Sequence, residues 1–174
     1  MTRTRTGLKA VSIAAALAAG SLALTGCGTT APASPVADGG PVTVTSIDGH
    51  QISLPATGEP TAVFFFSVGC GECVNGVRSL GRAATAAEEA GDNSSFLAID
   101  MDPGESKETI GGFMDSVDAE HVPAAIDTGA ALSLRFQVAA LSTLIVVDAE
   151  GKVTFRATDP SAETITAELV KAGA

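Results

Sequence analysis

Five consecutive apolar residues, Ala62-Val-Phe-Phe-Phe66, run almost directly into Cys70-Gly-Glu-Cys73. A run with no polar face must be a strand covered on both sides, and such strands belong to layered α/β folds. Residues 94–99 and 143–147 have the same character, so three buried strands need helical cover. Val74, Val77, Leu80, Ala84 and Ala87 recur at three and four residues. That spacing predicts a helix over residues 71–90 with one apolar stripe, stopped by Gly91. A second helix is expected at 105–117 and shorter ones at 129–136 and 161–172. Residues 42–47 and 51–54 alternate apolar and polar around Asp48-Gly49, a hairpin turn pair, and 152–157 folds back on 143–147 through Asp148-Ala-Glu-Gly151. The expected order is β-β-β-α-β-α-β-α-β-β-α, with the strand between the second and third helices not assigned to residues. This is an α/β fold with parallel central strands closed by an antiparallel hairpin.

The N-terminus reads as a targeting segment. Arg3, Arg5 and Lys9 precede an apolar stretch over residues 10–24, which at 15 residues suits a secretory signal core rather than a membrane span of about 20 residues. It ends in Leu24-Thr-Gly-Cys27, which resembles the lipobox of bacterial lipoproteins. The resemblance implies cleavage after residue 26 and lipidation of Cys27, placing the chain on the outer face of a bacterial cell membrane. Residues 28–41, GTTAPASPVADGGP, have a linker composition. The divisions are therefore 1–26 as signal peptide, 27–41 as lipidated cysteine and tether, and 42–174 as the folded domain. Removing residues 1–26 takes three of the 10 basic residues and none of the 20 acids, so the mature net charge moves from −10 to −13. Nucleic acid is excluded as a partner, because such a chain repels a phosphate backbone and its basic residues form no stripe.

The chemistry is expected at Cys70 and Cys73. Two thiols three residues apart at the start of a helix can form a disulfide, and the helix dipole with its unpaired N–H groups favours a thiolate at the more exposed Cys70. A thiolate attacks other disulfides, and Cys73 then resolves the mixed disulfide. A structural zinc site would need two further ligands, and only His50 and His121 are on offer. A buried structural pair sits poorly with Gly69 and Gly71, which point to an exposed bend.

The run VFFFSVGCGEC, the preceding SIDGHQISL, and the tail HVPAAIDTGAALSLRFQVAALSTLIVVDAEGKV resemble the thioredoxin-like, TlpA-type thiol–disulfide oxidoreductases over about residues 42–172. The resemblance implies a thioredoxin-like fold with a central mixed sheet, Cys70 as nucleophile and Cys73 as resolving thiol. It also implies exported protein thiols and disulfides as partners, a membrane electron donor, and no cofactor. Three positions depart from the family pattern. Gly69 stands where a Trp usually precedes the first Cys, and Ser142, followed by Thr143, stands where the family has a cis-proline that shapes substrate binding. A cis bond at Leu141–Ser142 would cost about 2.5–4 kcal/mol, so that bond is either trans or a strained cis. Glu72 between the thiols opposes thiolate formation, so the couple is expected to be reducing, far from the roughly −120 mV of strong oxidants.

Other residues carry alternatives. Ser67 sits three before Cys70, as a hydroxyl does in the peroxiredoxins, but Val63 and Ser142 replace the proline and arginine of that pattern, so thiol peroxidase is a weaker reading. Freed from a cis-proline, the thiol pair could instead hold Cu(I), Hg(II) or a shared iron–sulfur cluster. Asp100 and Asp102 lie where a carboxylate could assist proton transfer, although capping and loop solvation are the expected roles. His121 reads as a solvated loop side chain, and Phe64, Phe65 and Phe66 as core.

Overall fold

The computed structural model describes residues 40–174. Residues 1–26, Cys27 and most of the tether lie outside the described residues. Strands β1 (Val42–Thr45) and β2 (Gln51–Leu54) form the expected hairpin around Gly49, whose φ of +88° lies where L side chains are strained. Strand β3 (Thr61–Phe66) leads through residues 67–72 into helix α1 (Cys73–Ala90), which ends on a left-handed Gly91. Next come β4 (Ser95–Asp100), α2 (Lys107–Ser116), β5 (Ala124–Ile126), a short 3-10 turn and α3 (Ala131–Arg135). Strands β6 (Thr143–Val147) and β7 (Val153–Thr158) and helix α4 (Ala162–Lys171) complete the chain. The strand that the sequence did not place is β5. It is only three residues long, too short for a periodicity to show.

The sheet runs β5-β4-β3-β6-β7, parallel on the β5–β4–β3 side and antiparallel from β3 through β6 to β7. This is the mixed sheet of a thioredoxin-like fold, with β6 antiparallel to its central neighbour. The hairpin forms a separate two-stranded sheet that docks on β5 through the Ile47 N–H to Ala124 carbonyl bond of 2.8 Å. All six residues of β3 are buried, and the pleat sends them to two cores. Ala62, Phe64 and Phe66 pack with α1, α2 and α4, whereas Val63 and Phe65 meet Leu54, Leu132 and Phe136. Phe66 stacks on Phe113 with centroids 5.3 Å apart, so α2 is keyed to the end of β3.

Helix α1 starts later than the sequence predicts, at Cys73 rather than 71, with Glu72 as its N-cap. Cys70 and Gly71 therefore belong to the loop and not to the first helical turn. Helix α2 likewise starts after Ser106, whose hydroxyl accepts the Thr109 N–H, and Ser161 caps α4 through Thr164 in the same way.

Candidate active site

One edge of the sheet gathers the C-terminal ends of β3, β4 and β7 and the N-terminal end of β6, through the pairs Phe66–Asp100, Phe65–Thr143 and Thr143–Thr158. Chemistry placed there lies just past the ends of the parallel strands, at the start of α1. Cys70 and Cys73 are joined by a disulfide at this edge, with Cα atoms 5.3 Å apart. Cys70 is partly exposed and Cys73 is buried with 0% exposure. Accessibility thus separates an outer sulfur, which another molecule can reach, from an inner one that only Cys70 can.

The loop is folded by its own backbone: the Cys70 N–H donates to the Ser67 carbonyl and the Cys73 N–H to the Cys70 carbonyl, both at 3.0 Å. Gly69 and Gly71 are exposed, and a side chain at 71 would meet nothing within 4 Å. The wall that a Trp would build beside the thiol is missing here. Glu72 is exposed and its side chain caps nothing, so no side chain competes with a Cys70 thiolate for the N–H groups at the start of α1 once the disulfide opens.

Among the described residues the only cis peptide bond is Leu54–Pro55, so Leu141–Ser142 is trans. Ser142 reaches its place instead through a left-handed backbone with φ of +60°. That conformation costs a non-glycine residue about 1 kcal/mol or more and needs support. Asp159 supplies it: its N–H donates to the Ser142 carbonyl at 3.1 Å and its carboxylate accepts a short bond from the Ser142 hydroxyl. Asp159 also reaches α1, because a methyl group at Gly76 would lie 2.8 Å from its Oδ1 and would overlap the Phe64 ring. Gly76 stands one turn after Cys73, so the Ser142–Asp159 pair abuts the helix that carries the inner sulfur. Thr143 is buried and its hydroxyl donates to the Ala140 carbonyl at 2.8 Å.

Beneath the loop lie two carboxyls. Asp100 ends β4 with 0% exposure, which corrects the expectation that it solvates a loop. Glu105, which no local pattern singles out, accepts the Ser67 hydroxyl at 3.2 Å and the Val68 N–H at 3.1 Å. Burial, then the hydrogen bond with Glu105 and the negative charges of Glu105 and Asp102, push Asp100 up to about 8, against a partial offset from the Asp102 N–H. Burial would raise Glu105 too, but its bonds from Asp100, Val68, Ser67 and Gly69 outweigh that and hold it below the usual range. Asp102 is exposed in the loop after β4 and its carboxylate accepts the Gly104 N–H at 2.8 Å, a loop role rather than a helix cap, since Ser106 caps α2. Ser67, the hydroxyl of the peroxidase-like pattern, is committed to Glu105.

His121 rests on the middle of α1, its Nε2 3.0 Å from the Gly81 carbonyl and 3.2 Å from the Thr85 hydroxyl, two turns beyond Cys73. Among the described residues no group of three or more His, Cys, Asp or Glu is placed to hold a metal. Any metal at the site would therefore rest on the two sulfurs alone.

A sequence profile of the Redoxin family matches residues 28–172. The chain belongs to the Redoxin family. It is a thioredoxin-like thiol–disulfide oxidoreductase with Cys70 and Cys73 as its redox pair. A Streptomyces lividans protein named "Mercury resistance operon ORF3" is 58% identical over 132 residues, spanning 76% of this chain and 69% of that one. Among solved structures, StoA from Bacillus subtilis superposes with a TM-score of 0.64 at 17% identity, over 78% of this chain and 98% of that one. The pneumococcal exposed lipoprotein thioredoxin Etrx1 from Streptococcus pneumoniae gives 0.62 at 20% identity, over 76% and 99%. At such identities the structural likeness establishes the fold.

Proposed function

We propose that this redoxin is a lipid-anchored reductant of exported protein disulfides, with Cys70 as nucleophile and Cys73 as resolving thiol. The observation that carries the reading is the asymmetry of the pair: a reachable Cys70 in the loop, and a buried Cys73 opening α1. In the dithiol form the Cys70 thiolate attacks one sulfur of a substrate disulfide, forming the mixed disulfide and expelling the other substrate sulfur as a thiolate that takes up a proton. The Cys73 thiolate then attacks Cys70 and releases the second substrate thiol. Two electrons pass to the substrate, the Cys70–Cys73 disulfide forms, and a membrane dithiol donor returns the electrons. Gly69 leaves the outer sulfur open, and the buried Ser142 and Thr143 shape from beneath the sheet edge where a substrate chain would lie. The lipobox ending in Cys27 and the name of the pneumococcal lipoprotein support an extracytoplasmic, membrane-held position.

Reduction of an insulin-type disulfide by the full-length reduced protein tests this. Cys70→Ser should abolish turnover and Cys73→Ser should accumulate the mixed disulfide; full activity in Cys70→Ser would end the proposal. Cys27→Ser should release the chain from the membrane fraction.

The name of the Streptomyces lividans relative favours a second reading, in which the reduced pair takes Hg(II) as substrate through two thiolates. One equivalent of Hg(II) retained through dialysis by the reduced protein, and lost in Cys73→Ser, would support it.

A further inference from the structure

Glu105 is the residue that fastens the loop carrying Cys70, and the group behind Glu105 is a second carboxyl. Two consecutive residues, Ser67 and Val68, donate to its two carboxylate oxygens, at 3.2 and 3.1 Å. The Ser67 carbonyl in turn receives the Cys70 N–H. Asp100 Oδ1 accepts the Asp102 N–H at 2.7 Å, but Oδ2 is sealed from water and meets no N–H or hydroxyl donor. Its neighbour is the Glu105 carboxylate. Two carboxyl groups in contact away from water hold together only with a proton between them.

We infer that Asp100 and Glu105 form a carboxyl–carboxylate pair sharing one proton, and that this pair is a positioning device for Cys70. Asp100, protonated, donates to Glu105, and Glu105, anionic, clamps residues 67 and 68. The proton belongs on Asp100 because Asp100 is wholly buried, whereas Glu105 is half-buried and its anionic form is already stabilised by the Ser67 and Val68 donors. Among the described residues no compensating cation acts on Asp100. The charges acting on Asp100 are Glu105 and Asp102, both negative. In the sheet, β3 and β5 place Phe66 and Ile126 beside it, and the carboxylate of Asp127 is turned to Leu132 and Ser133. Loss of the shared proton therefore sets two anions against each other under the loop and adds negative charge below Cys70. Both effects disfavour the thiolate and loosen the clamp, so the exchange slows where the thiol alone would make it faster. Burial that lifts Asp100 to about 8 puts this transition within a degree of pH that an extracytoplasmic protein meets.

The inference rests on the assignment of Cys70 as nucleophile, and the test separates the two. The full-length reduced protein is alkylated with iodoacetamide from pH 5 to 10 and the modified sulfur located by mass. Expected are modification of Cys70 and a rate profile in the wild type that bends down from a simple thiol ionisation near pH 8. Asp100→Asn keeps a donor toward Glu105 and cannot ionise, so its profile should follow a single ionisation. Glu105→Gln removes the anionic acceptor and should change the rate at pH 7 by about tenfold, the equivalent of one charge-assisted hydrogen bond. Superimposable profiles for all three proteins would overturn the pair's role while leaving Cys70 as nucleophile. Modification of Cys73 instead would overturn the assignment of Cys70 itself. Should a variant fail to fold, the carboxyl carbon resonances of the wild type decide: Asp100 titrating near pH 8 and moving on reduction of the disulfide supports the pair. Titration near 4, or indifference to the redox state, refutes it.

Discussion

Single residues at this site carry opposing demands, and magnitudes decide between them. Asp100 is a buried acid whose native value of about 8 stands far above its ordinary 3.8. Between those values the native state keeps a proton that the unfolded chain has released, so this group's contribution to stability is greatest below about pH 4, is lost as pH rises toward 8, and is flat beyond. Glu105, held low, works the other way and only below its ordinary value of 4.5. Asp100→Asn should therefore flatten the fall in urea midpoint between pH 5 and 8; a slope equal to the wild type's would contradict the burial argument. Gly76 shows the same competition. Alanine in a helix interior gains about 1 kcal/mol over glycine, but here its methyl group meets the Phe64 ring and the Asp159 carboxylate. Overpacking costs about 1–3 kcal/mol, so Gly76→Ala should lower stability in urea unfolding, and a stabilised variant would show that Phe64 yields freely.

The elements are held at their ends as much as along their faces. Ser106 starts α2 one residue after Glu105, and its hydroxyl accepts the Thr109 N–H at 3.1 Å. Ser106→Ala should cost about 1 kcal/mol and, by fraying that turn, weaken the hold of Glu105 on the loop. The same substitution at Ser161 should cost a similar amount with a smaller effect on thiol reactivity, since the Ser161 cap bonds Thr164 and the loop carrying Cys70 is held by Glu105. Measuring both variants by urea unfolding and by Cys70 alkylation separates stability from positioning. Phe113 fastens α2 to β3 by stacking on Phe66, and Phe113→Ala should cost about 3–5 kcal/mol. Helix α1 was legible in the sequence from its stripe, since Val77, Leu80 and Ala87 are all buried as the spacing demands. Its start was not: Gly71 and Glu72 carry nothing that forbids a helical turn, and the loop is fixed by bonds to Glu105, 37 residues away from Val68.

At the scale of the whole molecule the charge is the simplest property: 20 acids against 10 basic residues give −10. Glu72, Asp102, Glu105 and Asp159 add to that sign around the disulfide, an electrostatic bias that should favour cationic over anionic substrates. Reduction of a disulfide peptide carrying extra Lys should be faster than that of one carrying extra Glu at low salt. The gap should close as the Debye length falls from about 30 Å at 0.01 M to about 8 Å at 0.15 M; a gap indifferent to salt would place the preference in contacts. The sequence by itself determined the order of elements, the two-sided burial of β3, the hairpin at Asp48-Gly49 and the pair Cys70–Cys73, because each is a local pattern of burial, turn chemistry or spacing. Only the tertiary structure decided the left-handed trans solution at Ser142, the bracing of that residue by Asp159, and the meeting of Asp100 with Glu105. Those depend on groups that the chain leaves far apart, or separates by a turn, and that folding brings to one edge of the sheet, where the burial of Asp100 against a half-buried Glu105 makes a pair of two ordinary acids.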